Sequence, residues 1–264
     1  MFGQVVARQS NTCLNREMEF TRYLQLLDAD CDRLRAAAVR DLAAPVPSCP
    51  GWTASDLLFH VGEVFLHKVE AMRLNGWPHP WPPEPDPDEP AGYFDRGLRE
   101  LRAEFAARKP EDASFTWYAP DRTVGFWIRR MALETVVHRV DAELAAGVPI
   151  TPIPDDLALD GIDEVLVAFL AYVAATWPDE LGEALTAADG RAVAIEAGGR
   201  RWTVRMAPSG IDISDDAEAH AVVSGPAQET LLWLWGRGDD AALKVSGDEE
   251  AVRRLRVLLK AATQ

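Results

Sequence analysis

From Glu19 to about Ala43 the positions Leu24, Leu27, Cys31, Leu34 and Ala38 recur at helical spacing, which predicts a first amphipathic helix. Three prolines between Pro45 and Gly51 make the next stretch an extended loop. Thr53 or Ser55 then caps a second helix running to about Gly76. Trp77 to Pro90 holds seven prolines and reads as a long connection rather than an element. A third helix is expected from about Tyr93 to Arg108, and a fourth from Asp121 or Thr123 to a glycine cap at Gly147. Four helices with one long crossover predict a bundle over residues 18–148. Residues 1–17 carry no hydrophobic period and are expected to form a disordered or loosely docked extension, with Met18 as an alternative start.

Pro149, Pro152 and Pro154 mark a boundary, and the pattern changes beyond it. A helix is expected over Asp156–Trp177. Ala192–Ala197 and Trp202–Met206 flank Gly198-Gly199 as a β-hairpin, with Arg200 and Arg201 at its tip. Ala219–Ser224 and Leu243–Ser246 read as further strands, Pro226–Trp235 and Glu249–Ala262 as helices. Residues 155–264 are thus expected to form an α+β domain, and the chain a multi-domain protein of α plus α+β class.

Composition narrows the function classes. At 48% hydrophobic and 26% charged residues the chain is of globular type. A net charge of −15 with scattered Lys and Arg argues against nucleic acid as a partner. No apolar run is long enough to span a bilayer and the N-terminus has no signal-peptide pattern, so a cytoplasmic location without membrane contact is expected. Cys13, Cys31 and Cys49 form no CxxC or disulfide framework and should be free thiols. Cys49, between Ser48 and Pro50, is either a reactive nucleophile or a small residue that orders its loop. Nothing in the pattern requires a dimer, and a monomer is expected.

The fourth helix carries the chemistry. At roughly 100° per residue, His138 and Asp141 both fall within about 40° of Glu134. Trp127, Met131 and Ala145 lie on the same side, while Leu133, Val137, Val140 and Leu144 flank the other edge. Ionisable groups inside an apolar arc need compensation. Glu134 and His138, one turn apart, can reach a single cation. A third ligand must come from another helix, and His60 and His67 are both candidates on the second, with Glu63 between them. The two histidines stand roughly 10 Å apart along a helix and cannot share one ion. Two imidazoles and a carboxylate form a catalytic zinc set with an open fourth position, and Fe2+, Ni2+ or Mn2+ suit the same donors. Asp141 either orients an imidazole or pairs with Arg130 or Arg139. Equally, a Glu–His pair at this spacing can simply satisfy itself. His79 and His220 read as loop or surface residues.

The run Val46-Pro47-Ser48-Cys49-Pro50-Gly51-Trp52-Thr53, followed by Asp56-Leu57-Leu58-x-His60-Val61-Gly62, is distinctive. With Glu134-x-x-Val137-His138-Arg139-x-Asp141-Ala142 it resembles the mycothiol-dependent maleylpyruvate isomerase family of DinB-like proteins. Val223-Ser224-Gly225-Pro226 and Leu232-Trp233-Leu234-Trp235-Gly236-Arg237 are similar to that family's C-terminal domain, so the likeness runs from about residue 19 to the end. It implies a DinB-like four-helix bundle followed by a smaller sterol-carrier-like α/β domain. It places a divalent metal, zinc first, on His60, Glu134 and His138, and makes mycothiol the thiol cosubstrate. The family's chemistry implies a thiolate, stabilised by the metal, that adds to a small electrophile to give a conjugate or, after rotation and elimination, an isomer. Arg237 is the candidate catalytic residue, a clamp for an anionic substrate, unless it serves only the end of its helix. The long Trp77–Pro90 segment matches no family motif. The alternative is a non-catalytic metal-containing or apolar-ligand-binding module, which Trp233 and Trp235 keep open.

Overall fold

The computed structural model describes residues 18–82 and 89–263; the expected extension over residues 1–17 and the middle of the proline-rich connection lie outside them. The first half is helical: α1 (Phe20–Ala38), α2 (Ala54–Leu74), α3 (Pro90–Ala106) and α4 (Val124–Ala145). α1 stops at Ala38, short of the expected Ala43, because residues 39–43 turn into the Pro45 loop, where Ala44 N donates to Asp41 O (3.1 Å).

Thr53, rather than Ser55, starts α2 through a reciprocal capping box. Thr53 Oγ1 accepts from Asp56 N (3.3 Å), and Thr53 N donates to Asp56 Oδ2 (2.8 Å). Thr123 caps α4 by accepting from Phe126 N (3.3 Å). α3 begins at Pro90, inside the segment expected to be a connection, since proline at the first helical position gives up no hydrogen bond. α2 crosses α3 where two glycines meet; a Cβ on Gly97 would stand 2.6 Å from Gly62 O. α4 is buried on nearly every side between α1, α2 and the second half of the chain.

α5 (Asp155–Glu164) passes into a π-helical stretch (Val165–Tyr172) and a last turn, α6 (Val173–Thr176), so the expected single helix exists with a wider middle. After α7 (Pro178–Thr186) come β1 (Ala192–Ala197), β2 (Arg200–Ala207), β3 (Gly210–Ser214), β4 (Ala221–Gly225), α8 (Ala227–Leu234), β5 (Lys244–Gly247) and α9 (Glu249–Ala262). The sheet order is β3-β2-β1-β4-β5, with β1 and β4 parallel and the other neighbours antiparallel. Gly198 and Gly199, at φ +53° and +78°, make the two-residue turn that the hairpin needs. Val193 pairs with Val204 and Ala221, and Ile195 with Trp202 and Val223; all six are buried. The architecture is the expected one: a helical region, then a smaller α/β domain.

α5 joins the halves. Gly161 packs closely against Leu231 of α8 and Leu133 of α4. A polar seam runs beside it: Arg22 to Asp156 (3.1 Å), Tyr23 Oη to Asp160 (2.8 Å), Arg129 to Asp160 (2.9 Å) and Arg130 to Glu164 (2.7 Å). Among the described residues no helix is long and apolar enough to cross a membrane.

Candidate metal centre

His60 sits in the second turn of α2, and Glu134 and His138 in the middle of α4. The structure brings the three together. Glu134 Oε1 lies 3.7 Å from His60 Nε2 and 3.3 Å from His138 Nε2, and one ligand atom from each residue falls within 4.8 Å of the others. Two donors roughly 2.1 Å from a tetrahedral cation stand roughly 3.4 Å apart, so the spacing and the donor types fit a metal.

His67 is not in this group. Its ring packs against Trp77 (centroids 5.5 Å) and Trp81 (5.1 Å), and its Nδ1 meets Lys68 Nζ at 3.1 Å. Burial, helped by the Lys68 charge, pulls its pKa down to about 4. Of the other histidines, His220 Nδ1 accepts from Ala192 N (3.1 Å) where the parallel strands β1 and β4 begin.

Asp141 organises the surroundings. It is fully buried and its carboxylate receives His138 Nδ1 (2.9 Å), Arg237 Nε and Nη2 (both 3.0 Å), the Ser48 hydroxyl and the Cys49 thiol (3.8 Å). The partner expected in Arg130 or Arg139 is therefore Arg237. Arg139 instead binds Asp30 and Glu143, while Arg130 binds Glu134 and Glu164. A carboxylate only accepts, so Nδ1 of His138 carries a proton towards Asp141, and Nε2, which faces Glu134 and His60, is the nitrogen left for a cation to take. Burial alone would lower the pKa of this ring; hydrogen bonds to Asp141 and Glu134 hold it up, to about 9. Burial alone would raise Glu134; Arg130, His138 and His60 outweigh it and hold the carboxyl well below the usual range. Asp141 is also held low, by His138 and Arg237, against the effect of burial.

The 46–52 loop forms one wall. Val46 N donates to Trp52 O (2.9 Å), Cys49 N to Val46 O (3.1 Å) and Trp52 N to Cys49 O (3.0 Å), with Gly51 at φ +88° making the tight return. Trp52 packs on the His60 ring (centroids 4.8 Å). Cys49 is half-buried, and burial and Asp141 push its thiol pKa up. A nucleophile needs the opposite, and the backbone hydrogen bonds of Cys49 to Val46 and Trp52 fit a loop-ordering residue.

Arg237 follows α8 and reaches this wall from the second domain. Besides Asp141 it donates to Trp235 O (2.7 Å) through Nη1 and to Cys49 Sγ (3.6 Å) through Nη2. Its guanidinium is thus engaged by Asp141 and is not a free clamp. A cavity of about 1030 Å³ opens between the domains, lined by His60, Glu134 and His138 on one side and by Phe169, Trp235, Arg237, Arg256 and Lys260 on the other. Trp233 is core, 1% exposed, with Nε1 donating to Asp240 (2.6 Å); of the two, Trp235 is the one that lines the cavity. Ser48, Trp52, Glu164 and Phe169 escaped the sequence reading as site residues. The first two were legible in their motif, and the last two carried no local signal.

Two family models cover most of the chain. Residues 24–143 match the mycothiol maleylpyruvate isomerase N-terminal domain and residues 156–254 match the C-terminal domain of the same family. The chain belongs to the mycothiol-dependent maleylpyruvate isomerase family. The fold agrees. A crystal structure of the mycothiol-dependent maleylpyruvate isomerase superposes with a TM-score of 0.57 at 16% identity, over 88% of this chain and 95% of that one. A His-to-Ala mutant of the isomerase gives 0.59 at 13%, with the same coverage. No curated protein matches the sequence.

Proposed function

We propose that this family member is a metal-dependent enzyme that uses mycothiol, with His60, Glu134 and His138 as the metal ligands. The observation that carries the reading is the convergence of these three donors on the wall of an interdomain cavity. Such a cavity has room for a thiol and a small electrophile together.

When bound, a divalent cation, zinc first by its donor set, supplies a Lewis acid that favours the thiolate form of a thiol at neutral pH. The chain's own residues do the rest. Asp141 fixes the His138 tautomer so that the Nε2 lone pair points to the cluster. Arg237 and Ser48 hold Asp141 in turn, so Arg237 acts by positioning as well as by lining the cavity. Trp52 sets the His60 ring. Lys260 lines the same cavity and gives an otherwise acidic chain a cationic group suited to an anionic end of the electrophile, beside Arg256, whose guanidinium lies on the Trp233 ring (4.6 Å) and donates to Trp233 O. Addition of the thiolate to an alkene carbon conjugated to a carbonyl would break the π bond and leave an enolate. Protonation of that enolate from solvent gives a conjugate, whereas rotation about the new single bond and expulsion of the thiolate re-forms the double bond as an isomer.

The test is consumption of mycothiol and conversion of electrophiles, maleylpyruvate among them, by zinc-loaded protein and by His138→Ala. Conversion by the wild type that disappears in the variant supports the reading. Equal conversion by both would overturn it.

A further inference from the structure

The two oxygens of Glu134 do different things. Oε1 faces His60 and His138, whereas Oε2 accepts from Arg130 Nη2, one turn earlier on α4. Arg130 is itself held from the second domain. Its Nη1 donates to Glu164 Oε2 (2.7 Å), and its guanidinium carbon lies 4.8 Å from the centre of the Phe169 ring. Glu164 is the last residue of α5 and is 1% exposed; Phe169 lies within the π-helical stretch that follows. Turns closed by i→i+5 bonds bring residues five apart closer to one face than an α-helix does. Phe169 is braced edge-on by Trp117 (5.4 Å) and Trp235 (5.4 Å). Arg130 is therefore clamped between a carboxylate and an aromatic face before it meets Glu134, and a guanidinium fixed in this way has little freedom to leave.

A carboxylate with both oxygens free can bind a cation through one or through both. With Oε2 occupied by a guanidinium, one oxygen is left for the metal. We infer that Arg130 is a positioning residue for the metal: clamped by Glu164 and Phe169, it restricts Glu134 to one ligating oxygen and so keeps a coordination position free for the thiol sulfur. The inference rests on the metal reading above. It also explains why the second domain reaches into the bundle at this point, since Glu164 and Phe169 both come from its first helical segment.

The full-length chain is tested as wild type, Arg130→Met and Arg130→Lys. Zinc affinity is read by chelator competition, and coordination by the visible absorption of the cobalt-loaded protein, which is stronger for four-coordinate than for five-coordinate Co2+. Loss of the guanidinium removes a competitor for the Glu134 charge. Arg130→Met should therefore bind zinc tighter, by about tenfold for a partly relieved charge competition, and its cobalt spectrum should weaken as Glu134 binds through both oxygens. Arg130→Lys keeps the charge but not the two-sided bridge, and should shift both readouts the same way by less; it also covers failure of Arg130→Met to fold. A merely structural role predicts weaker zinc binding and an unchanged cobalt band. That result, or wild-type values in both variants, overturns the inference alone; a wild type that binds no divalent metal overturns the metal reading as well.

Discussion

Asp141 lies one turn beyond His138 on α4 and receives its Nδ1 at 2.9 Å, while the same carboxylate is gripped from the other domain by Arg237. The pair is buried, so the orientation of one imidazole depends on contacts that exist only when both domains are docked. Asp141→Asn keeps an acceptor for Nδ1 but removes the charge that fixes the tautomer. Zinc affinity, measured by chelator competition, should fall about 10- to 100-fold. An unchanged affinity would mean that His138 is oriented by something else.

Arg237→Gln would leave Asp141 buried without its guanidinium partner. Removing one partner of a buried ion pair costs about 3 kcal/mol or more. A urea titration should show a loss of that order, and a loss below about 1 kcal/mol would mark the contact as a surface-like pair of little weight.

Glu164 gives a pH dependence with a defined sign. Burial pushes its pKa up to about 7, against 4.5 for the free group, with Arg130 and Arg129 pulling it down and Asp160 and Glu134 adding to the rise. A carboxyl raised in the folded state contributes stability that is present below its unfolded value and lost as pH rises through about 7. Metal-free wild type should lose on the order of 3 kcal/mol between pH 4.5 and 8 relative to Glu164→Gln. Parallel stability profiles for the two proteins would contradict the assignment.

The α2–α3 crossing gives a prediction that links packing to the site. Gly97→Ala would place a methyl group 2.6 Å from Gly62 O, and backbone cannot step aside as a side chain can. The helices must separate, at a cost of roughly 1–3 kcal/mol. Gly62 is two residues from His60, so zinc affinity should fall along with the melting temperature. A variant of wild-type stability would show that the crossing relaxes freely.

The helices and the hairpin were legible because their apolar spacing and caps are local. Thr53, Thr123, Gly147 and the Gly198-Gly199 turn sit within a few residues of the elements they bound. β3 was not foreseen: Gly210-Ile211-Asp212-Ile213-Ser214 offers two apolar residues, and its strand character comes from pairing with β2. α7 was missed for a similar reason, its nine residues carrying only two buried leucines.

At the site, Glu134, His138 and Asp141 could be placed on one face because helical periodicity is short-range. The choice of His60 over His67 came from the family likeness. The partners of Asp141 and Arg130 lay beyond both routes, because Arg237 is 96 residues from Asp141 and Glu164 is 34 from Arg130. Such pairs are decided by how α5 and α8 dock on α4, which no local pattern reports.

The most direct test of the account is the divalent metal content of protein purified without chelator, for wild type and Glu134→Ala. Ligation by His60, Glu134 and His138 predicts close to one metal per chain in the wild type and loss of most of it in the variant. A wild type that holds none, even after reloading with zinc, would contradict it.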